Sequence, residues 1–130
     1  MLAENPIDVM LTATDVGAAK EFYGDRIGLE VLIESDEFVT FSCGGDSRLV
    51  VTRTSSPSNE PTTKANWRVV DVATEVAGLR ARGVAIVDYD EPDLTTIDGV
   101  ADVGFALSAW FVDPGGNTIG LIQFKDQALG

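Results

Sequence analysis

The stretch WFVDPGGNTIGLIQ, residues 110–123, predicts a β-hairpin, and the rest of the chain is interpreted outward from it. Apolar residues alternate on both sides of Asp-Pro-Gly-Gly-Asn, which is typical of two strands joined by a tight polar turn. Gly120 lies in the middle of the second strand. Glycine weakens a strand and lets another group approach the backbone closely. The hairpin therefore has one open position where a side chain would normally stand.

Two similar patterns of one helix and several strands fill the chain around this hairpin. In the first pattern, Asp15 is the predicted N-cap of a helix through residues 16–27, and the strands are predicted at 7–14, 29–35, 37–43 and 48–54. In the second pattern, Asp71 is the N-cap, and the strands are predicted at 64–70 and 84–90 and in the hairpin. Residues 55–63 are rich in Pro, Ser and Thr, which predicts a linker between the halves.

The two halves can be aligned on their own motifs. Placing Asp15 over Asp71 brings Asp8 over Lys64, and placing GGDSRLVV over GGNTIGLI brings Leu49 over Gly120. A repeat of this size predicts two copies of one βαβββ unit. We therefore expect an α+β fold and a single domain over residues 1–130. Its two repeats, at about 5–54 and 64–125, would form a curved mixed sheet around a central pocket.

Composition and charge exclude several classes of function. The chain has 130 residues, 45% hydrophobic and 23% charged, which suits one globular domain. It has no apolar run of about 20 residues and no signal-peptide pattern, so we expect a cytoplasmic protein without a membrane partner. The net charge of −12 argues against nucleic acid and favours a cationic ligand, although acidic surfaces also serve solubility.

The sequence contains no histidine and a single cysteine, Cys43. A Ser-His-Asp triad, a Cys-His pair, a disulfide framework and a His-containing metal site are thereby excluded. A metal would have to rest on carboxylates, carbonyls and water, which suits magnesium or calcium better than zinc or iron.

Three segments together resemble the vicinal oxygen chelate superfamily, which includes glyoxalases, bleomycin-resistance proteins and extradiol dioxygenases. These segments are TDVGAAKEFYGDRIGLEVL (14–32), VVDVATEVAGLRARGVAIV (69–87) and FVDPGGNTIGLIQ (111–123). The resemblance covers nearly the whole chain and implies the paired βαβββ fold. It also implies a homodimer, in some members with halves exchanged between chains.

The resemblance also implies where a metal would be bound. Family enzymes usually take a His from the first strand of each half and a Glu from the last strand. The corresponding positions in this chain are Asp8, Leu49, Lys64 and Gly120. Leucine and glycine have no ligating side chain, and an ammonium group repels a cation. We therefore predict no metal and no cofactor.

Strand alternation predicts which side chains line the pocket. Together with apolar neighbours and the open position at Gly120, they would bind a small organic ligand through a few oriented polar groups. The predicted ligand-binding residues are Asp8, Met10, Thr12, Leu49, Lys64, Asn66, Arg68, Trp110, Gly120 and Ile122. Two alternatives stay open: Asp8 and Lys64 pair and fill a vestigial pocket, or Trp110 belongs to the core.

Three functions are compatible with these residues. The first is a metal-free binder similar to the drug-sequestering, antibiotic-resistance members of the superfamily. The second is a lyase or isomerase with Asp8 as general base and Lys64 or Arg68 stabilising an enolate. A carboxylate beside a cation is a weaker base, which argues against this enzyme. The third is a structural or regulatory module whose pocket has no ligand.

Overall fold

The computed structural model describes residues 1–57, 60–126 and 128, and these fall into two compact units. The first unit contains residues 1–60 and the turn at 113–117, and the second contains residues 61–112 and 118–130. The predicted linker at 55–63 includes positions 58 and 59, which lie outside the described residues. The single-domain organisation stays a prediction.

The first unit contains one mixed four-stranded sheet, a short 3-10 helix (Leu2–Glu4) and a longer helical segment after β1. Strand β1 pairs with β4 in parallel, the other pairs are antiparallel, and the order is β1-β4-β3-β2. The elements are β1 (Asp8–Ala13), α1 (Val16–Lys20), a π-helical segment (Glu21–Ile27), β2 (Glu30–Glu34), β3 (Phe38–Ser42) and β4 (Arg48–Arg53).

The helix of the first unit changes geometry halfway, which corrects the prediction of one regular helix. Asp15 caps α1 by accepting from the amide of Ala18 at 3.0 Å, as predicted. After Lys20 the helix widens, and Gly28 donates to the carbonyl of Tyr23 at 3.1 Å, an i to i−5 bond. Phe22 and Tyr23 in this segment are both buried, as expected for residues three and four positions after the buried Ala19.

The core of the first unit is built from the face of the sheet that carries Leu11, Val39, Phe41 and Val51, with Tyr23 beside it. The rings of Tyr23 and Phe41 lie 5.6 Å apart. Burial of these side chains away from water is the main source of stability here.

The second unit contains the predicted hairpin in a second mixed four-stranded sheet. Strand β5 pairs with β10 in parallel, the others are antiparallel, and the order is β5-β10-β9-β8. The elements are β5 (Thr63–Arg68), α2 (Val72–Ala81), β6 (Asp90–Glu91), β7 (Leu94–Thr95), β8 (Ala101–Asp102), β9 (Ala106–Val112) and β10 (Thr118–Phe124), with β6 and β7 forming a separate two-stranded ladder. The predicted α+β class is confirmed.

The prediction of a strand at 84–90 is wrong. This segment makes isolated bonds instead of a ladder: Val87 donates to the carbonyl of Trp110 at 2.8 Å and Tyr89 to the hydroxyl of Thr96 at 2.9 Å. The fourth position of the sheet is taken by the two-residue strand β8. Apolar alternation in the sequence cannot separate a laddered strand from an extended segment bonded at single points.

Helix α2 covers one face of the second sheet through Val72 and Val76, which are buried. Asp71 caps it by accepting from Thr74 at 3.3 Å, as predicted, and the side chain of Gln123 accepts from the amide of Val72 at 2.9 Å. On the same sheet the rings of Trp67 and Phe111 stack at 6.4 Å. None of the helices in the described part of the chain combines the length and apolar character that a bilayer-spanning segment needs.

Candidate functional site

The exposed face of the first sheet carries three of the predicted residues, Asp8, Met10 and Thr12. Met10 is 61% exposed, whereas Leu11 and Ala13 on the opposite face are buried. Alternation along β1 therefore separates a more exposed face from a buried one, as expected. That these three contact a ligand stays a prediction.

Leu49 does not join them. In the parallel pairing of β1 and β4, Leu49 lies beside Val9, and Met10 lies beside Val50. Leu49 is 3% exposed, so it belongs to the core face, and its predicted place on the exposed face is wrong. The alignment of the repeats set Leu49 opposite Gly120, and this is one residue out of register with the structure.

Asp8 forms an ion pair with Arg48, its neighbour in register on β4. Nε and Nη2 of the guanidinium donate to the two carboxylate oxygens at 3.3 and 3.2 Å. A two-bond pair of this kind fixes the orientation of the carboxylate. Sequence reasoning missed Arg48, although it opens a predicted strand with the alternation that points it to the face of Asp8.

The exposed face of the second sheet carries Lys64, Asn66 and Arg68, which are exposed in alternation with Ala65 and Trp67. The pairing of β10 with β5 shifts by one residue here. Thr118 pairs with Thr63 and Ile119 with Ala65, so Lys64 is the extra residue of a bulge. Beyond the bulge, Gly120 lies beside Asn66 and Ile122 beside Arg68.

The open position at Gly120 is taken by the side chain of Asn66. A Cβ atom built on Gly120 would collide with Oδ1 of Asn66 and would lie 3.1 Å from its Cγ and 3.3 Å from Cγ2 of Thr63. The expectation that a ligand uses this space therefore needs correction, since the amide of Asn66 already crosses it. A glycine is required where a polar side chain lies flat on the sheet.

Trp110 lies beside Gly120 in the β9–β10 register and shares its face of the sheet. Its side chain is partly exposed, and the ring of Tyr89 packs edge-on against it at 5.3 Å. Phe111, on the opposite face, is 1% exposed. Trp110 thus belongs to neither the buried core nor the open surface, and an aromatic in this position offers a rigid contact area.

A buried polar network that sequence reasoning missed holds the turn 113–117. Asp113 is 5% exposed and accepts from the hydroxyl of Tyr23 at 2.7 Å, from the amides of Gly115 and Asn117 at 2.9 Å, and from the side chain of Asn117. The side chain of Asn117 also donates to the carbonyl of Thr12 at 2.8 Å. Burial, followed by the charge of Asp113, raises the pKa of Tyr23 far above its ordinary range.

Acidic, thiol and imidazole side chains do not gather into a metal-binding cluster in residues 1–57, 60–126 and 128, where no three of them lie together. Cys43 is half-buried, and burial raises the pKa of its thiol.

Comparison with known proteins identifies the fold. The model of the Glyoxalase/Bleomycin resistance protein/Dioxygenase superfamily matches residues 7–121. The crystal structure of TnmS3, an antibiotic binding protein from Streptomyces sp. CB03234, is 25% identical with a TM-score of 0.70, covering 93% of this chain and 96% of that one. No curated protein matches the sequence.

Two further structures share the fold at lower identity. A glyoxalase/bleomycin resistance protein/dioxygenase from Alicyclobacillus acidocaldarius is 17% identical with a TM-score of 0.74, covering 96% of this chain and 95% of that one. The bleomycin-binding protein from Streptomyces verticillus, complexed with copper(II)-bleomycin, is 23% identical with a TM-score of 0.67, covering 90% and 93%.

Proposed function

Since this chain belongs to the Glyoxalase/Bleomycin resistance protein/Dioxygenase superfamily, we propose that it binds a small organic ligand without a metal ion. The observation that carries the proposal is the pair Asn66 and Gly120. The resemblance implies a metal-binding Glu at position 120. The chain has glycine there, and the neutral amide of Asn66 occupies the space that a side chain would take.

The other three positions implied as metal ligands fit a metal no better. Asp8 already gives both of its oxygens to Arg48. Leu49 is apolar and buried in the core face, and Lys64 has a cationic side chain. A divalent ion needs several oxygen, nitrogen or sulfur donors around it, and these residues do not supply them.

The exposed faces of the two sheets supply the chemistry that an organic ligand requires. The second sheet combines a partly exposed indole, an amide and cationic side chains, and the first sheet offers the thioether of Met10. Apolar and aromatic area with a few oriented polar groups is typical of small-molecule sites. Of the residues predicted to bind the ligand, Asp8, Met10 and Thr12 lie on the first sheet, and Lys64, Asn66, Arg68, Trp110 and Ile122 lie on the second.

Sequestration of an antibiotic-like molecule is the form of binding that we propose, in a protein acting as a homodimer. The antibiotic-binding structure at 25% identity supports this form over catalysis. The alternative enzyme needs Asp8 as a general base, but both of its oxygens accept from Arg48, which leaves the carboxylate poorly placed for a substrate proton. A cytoplasmic location stays a prediction.

Native mass spectrometry of untagged protein from its own host tests the proposal. We expect a dimer without stoichiometric metal that carries an added small-molecule mass, and we expect that mass to be lost from Asn66→Ala. Asn5→Ala is the matched control, because the side chain of Asn5 donates to the nearby carbonyl of Met1 at 2.7 Å in the exposed N-terminal turn. A stoichiometric divalent ion, or equal ligand retention by both variants, would contradict the proposal.

A further inference from the structure

We propose that the exposed face of the second sheet selects a flat aromatic acid, with its ring on Trp110 and its carboxylate at Arg68 and Asn66. The inference rests on the proposed function and names the class of ligand. The exposed face is defined by Asn66 and Arg68 of β5, Gly120 and Ile122 of β10, and Trp110 of β9.

The charge of this face is opposite to that of the chain. Acidic residues number 21 of 130, yet the positions of β5, β9 and β10 that share this face include none. The charged residue among those that define the face is Arg68, which is exposed. The net charge of −12 would favour a cationic ligand at long range, but contact with the guanidinium of Arg68 favours an anion at short range.

The polar and aromatic groups lie at opposite sides of the face. Strand β10 separates β5, with Arg68 and Asn66, from β9, with Trp110. Neighbouring strands are about 4.8 Å apart, so the guanidinium side and the indole side are separated by roughly 10 Å. This span suits a fused two-ring aromatic that carries its acid at one end.

Two acidic residues adjoin the aromatic side of this face. Asp88 and Asp90 flank Tyr89, whose ring contacts Trp110, and Asp88 accepts from the hydroxyl of Thr96 at 3.4 Å. A carboxylate on the ligand would therefore be repelled from the Tyr89 side and attracted to the β5 side, which fixes its orientation. Tyr89 holds the indole by its edge contact, which prepares the ring for stacking.

The experiment compares three naphthalene probes of similar size by isothermal titration calorimetry: 2-naphthoate, 2-naphthamide and 2-naphthylmethylammonium. We expect naphthoate to bind at least about tenfold more tightly than the ammonium probe, the effect of one charge-assisted contact. Arg68→Gln should remove about tenfold of naphthoate affinity and leave naphthamide nearly unchanged. Arg53→Gln, which removes an exposed arginine paired with Glu37 at 3.8 Å in the first unit, is the matched control.

The outcomes separate this inference from the proposed function. Tighter binding of the ammonium probe, or equal losses in Arg68→Gln and Arg53→Gln, would overturn the acidic ligand class while leaving small-molecule binding in place. If neither the wild type nor Trp110→Leu binds any of the three probes, the proposed function at this face is overturned. Thermal unfolding of each variant establishes that it is folded.

Discussion

The two sheets treat equivalent places next to their first strands in different ways. In the first sheet β1 and β4 stay in register throughout, and the residue beside Met10 is Val50, which is buried. In the second sheet a bulge at Lys64 shifts the register, and the residue beside Asn66 is Gly120. In the first sheet the side chain of Val50 fills this position. In the second sheet Gly120 has no side chain, and the side chain of Asn66 from the neighbouring strand fills the position instead.

This difference decides what each exposed face offers to a ligand. The first face neutralises its carboxylate within the sheet, because Arg48 pairs with Asp8. The second face keeps an amide between two cationic residues and an indole. A bulge beside a binding surface commonly re-aims side chains, and here it accompanies the placement of Asn66 beside Gly120.

Leu49→Ala is expected to give the largest effect, because it tests the register that separates the two sheets. Leu49 is 3% exposed, so truncation should lower the free energy of unfolding by about 3 kcal/mol through lost burial and a cavity. Met10→Ala, at a 61% exposed site on the opposite face, should cost less than about 0.5 kcal/mol. Urea unfolding of both variants measures the difference, and equal costs would show that the register assignment is wrong.

Raising the pH should destabilise the protein through the phenol of Tyr23. The residue at the equivalent position of the second helix, where the repeat alignment places Leu79, cannot titrate, so this effect is specific to the first unit. The pKa of Tyr23 is raised by folding, so its stabilisation is complete below its unfolded pKa of about 10 and decreases as the pH rises above that value.

The expected loss is about 1.4 kcal/mol per pH unit above 10, or roughly 2 kcal/mol at pH 11.5. Tyr23→Phe should remove most of this pH dependence, at a cost near neutral pH of about 1 kcal/mol for the lost bond to Asp113. Urea titrations at pH 8 and pH 11.5 give the free energy of unfolding of the wild type and of Tyr23→Phe. If this free energy depends on pH equally in both proteins, the assignment to Tyr23 is wrong.

Much of this architecture follows from local sequence signals, and the errors share one cause. The caps at Asp15 and Asp71 and the hairpin are fixed by neighbouring residues, and all three are confirmed. The register of β10 on β5 depends on the bulge at Lys64, which no local pattern marks, so Leu49 was misplaced.

The partners of the candidate site were equally hidden from sequence reasoning. Arg48 meets Asp8 across 40 positions, and Asp113 meets Tyr23 across 90. Such contacts are set by strand pairing and chain path and not by local propensity. Strand alternation could predict which side chains of a strand share a face, but not which distant residues pair with them.

Removing the two helix caps should lower the free energy of unfolding by modestly different amounts. Asp15→Ala is expected to cost about 1 kcal/mol, because the amide of Ala18 loses its side-chain acceptor. Asp71→Ala should cost less, since the amide of Val72 at the same helix end keeps its bond to Gln123. Urea unfolding of Asp71→Ala with Gln123→Leu should show a loss greater than the two separate losses, and strict additivity would show that the two acceptors act independently.

Gly120→Ala gives the smallest change in stability and the sharpest test of the comparison. The new methyl group must displace the Asn66 side chain, at a cost of about 1 kcal/mol for an unfavourable rotamer. Replacing glycine by alanine also restricts the unfolded chain and stabilises the protein by about 0.4–1 kcal/mol, so the net effect should be close to zero. In the Asn66→Ala background the displacement cost disappears, and Gly120→Ala should then be stabilising. A double-mutant cycle measures this change of sign; if Gly120→Ala has the same effect in both backgrounds, Asn66 does not occupy the place that the glycine leaves open.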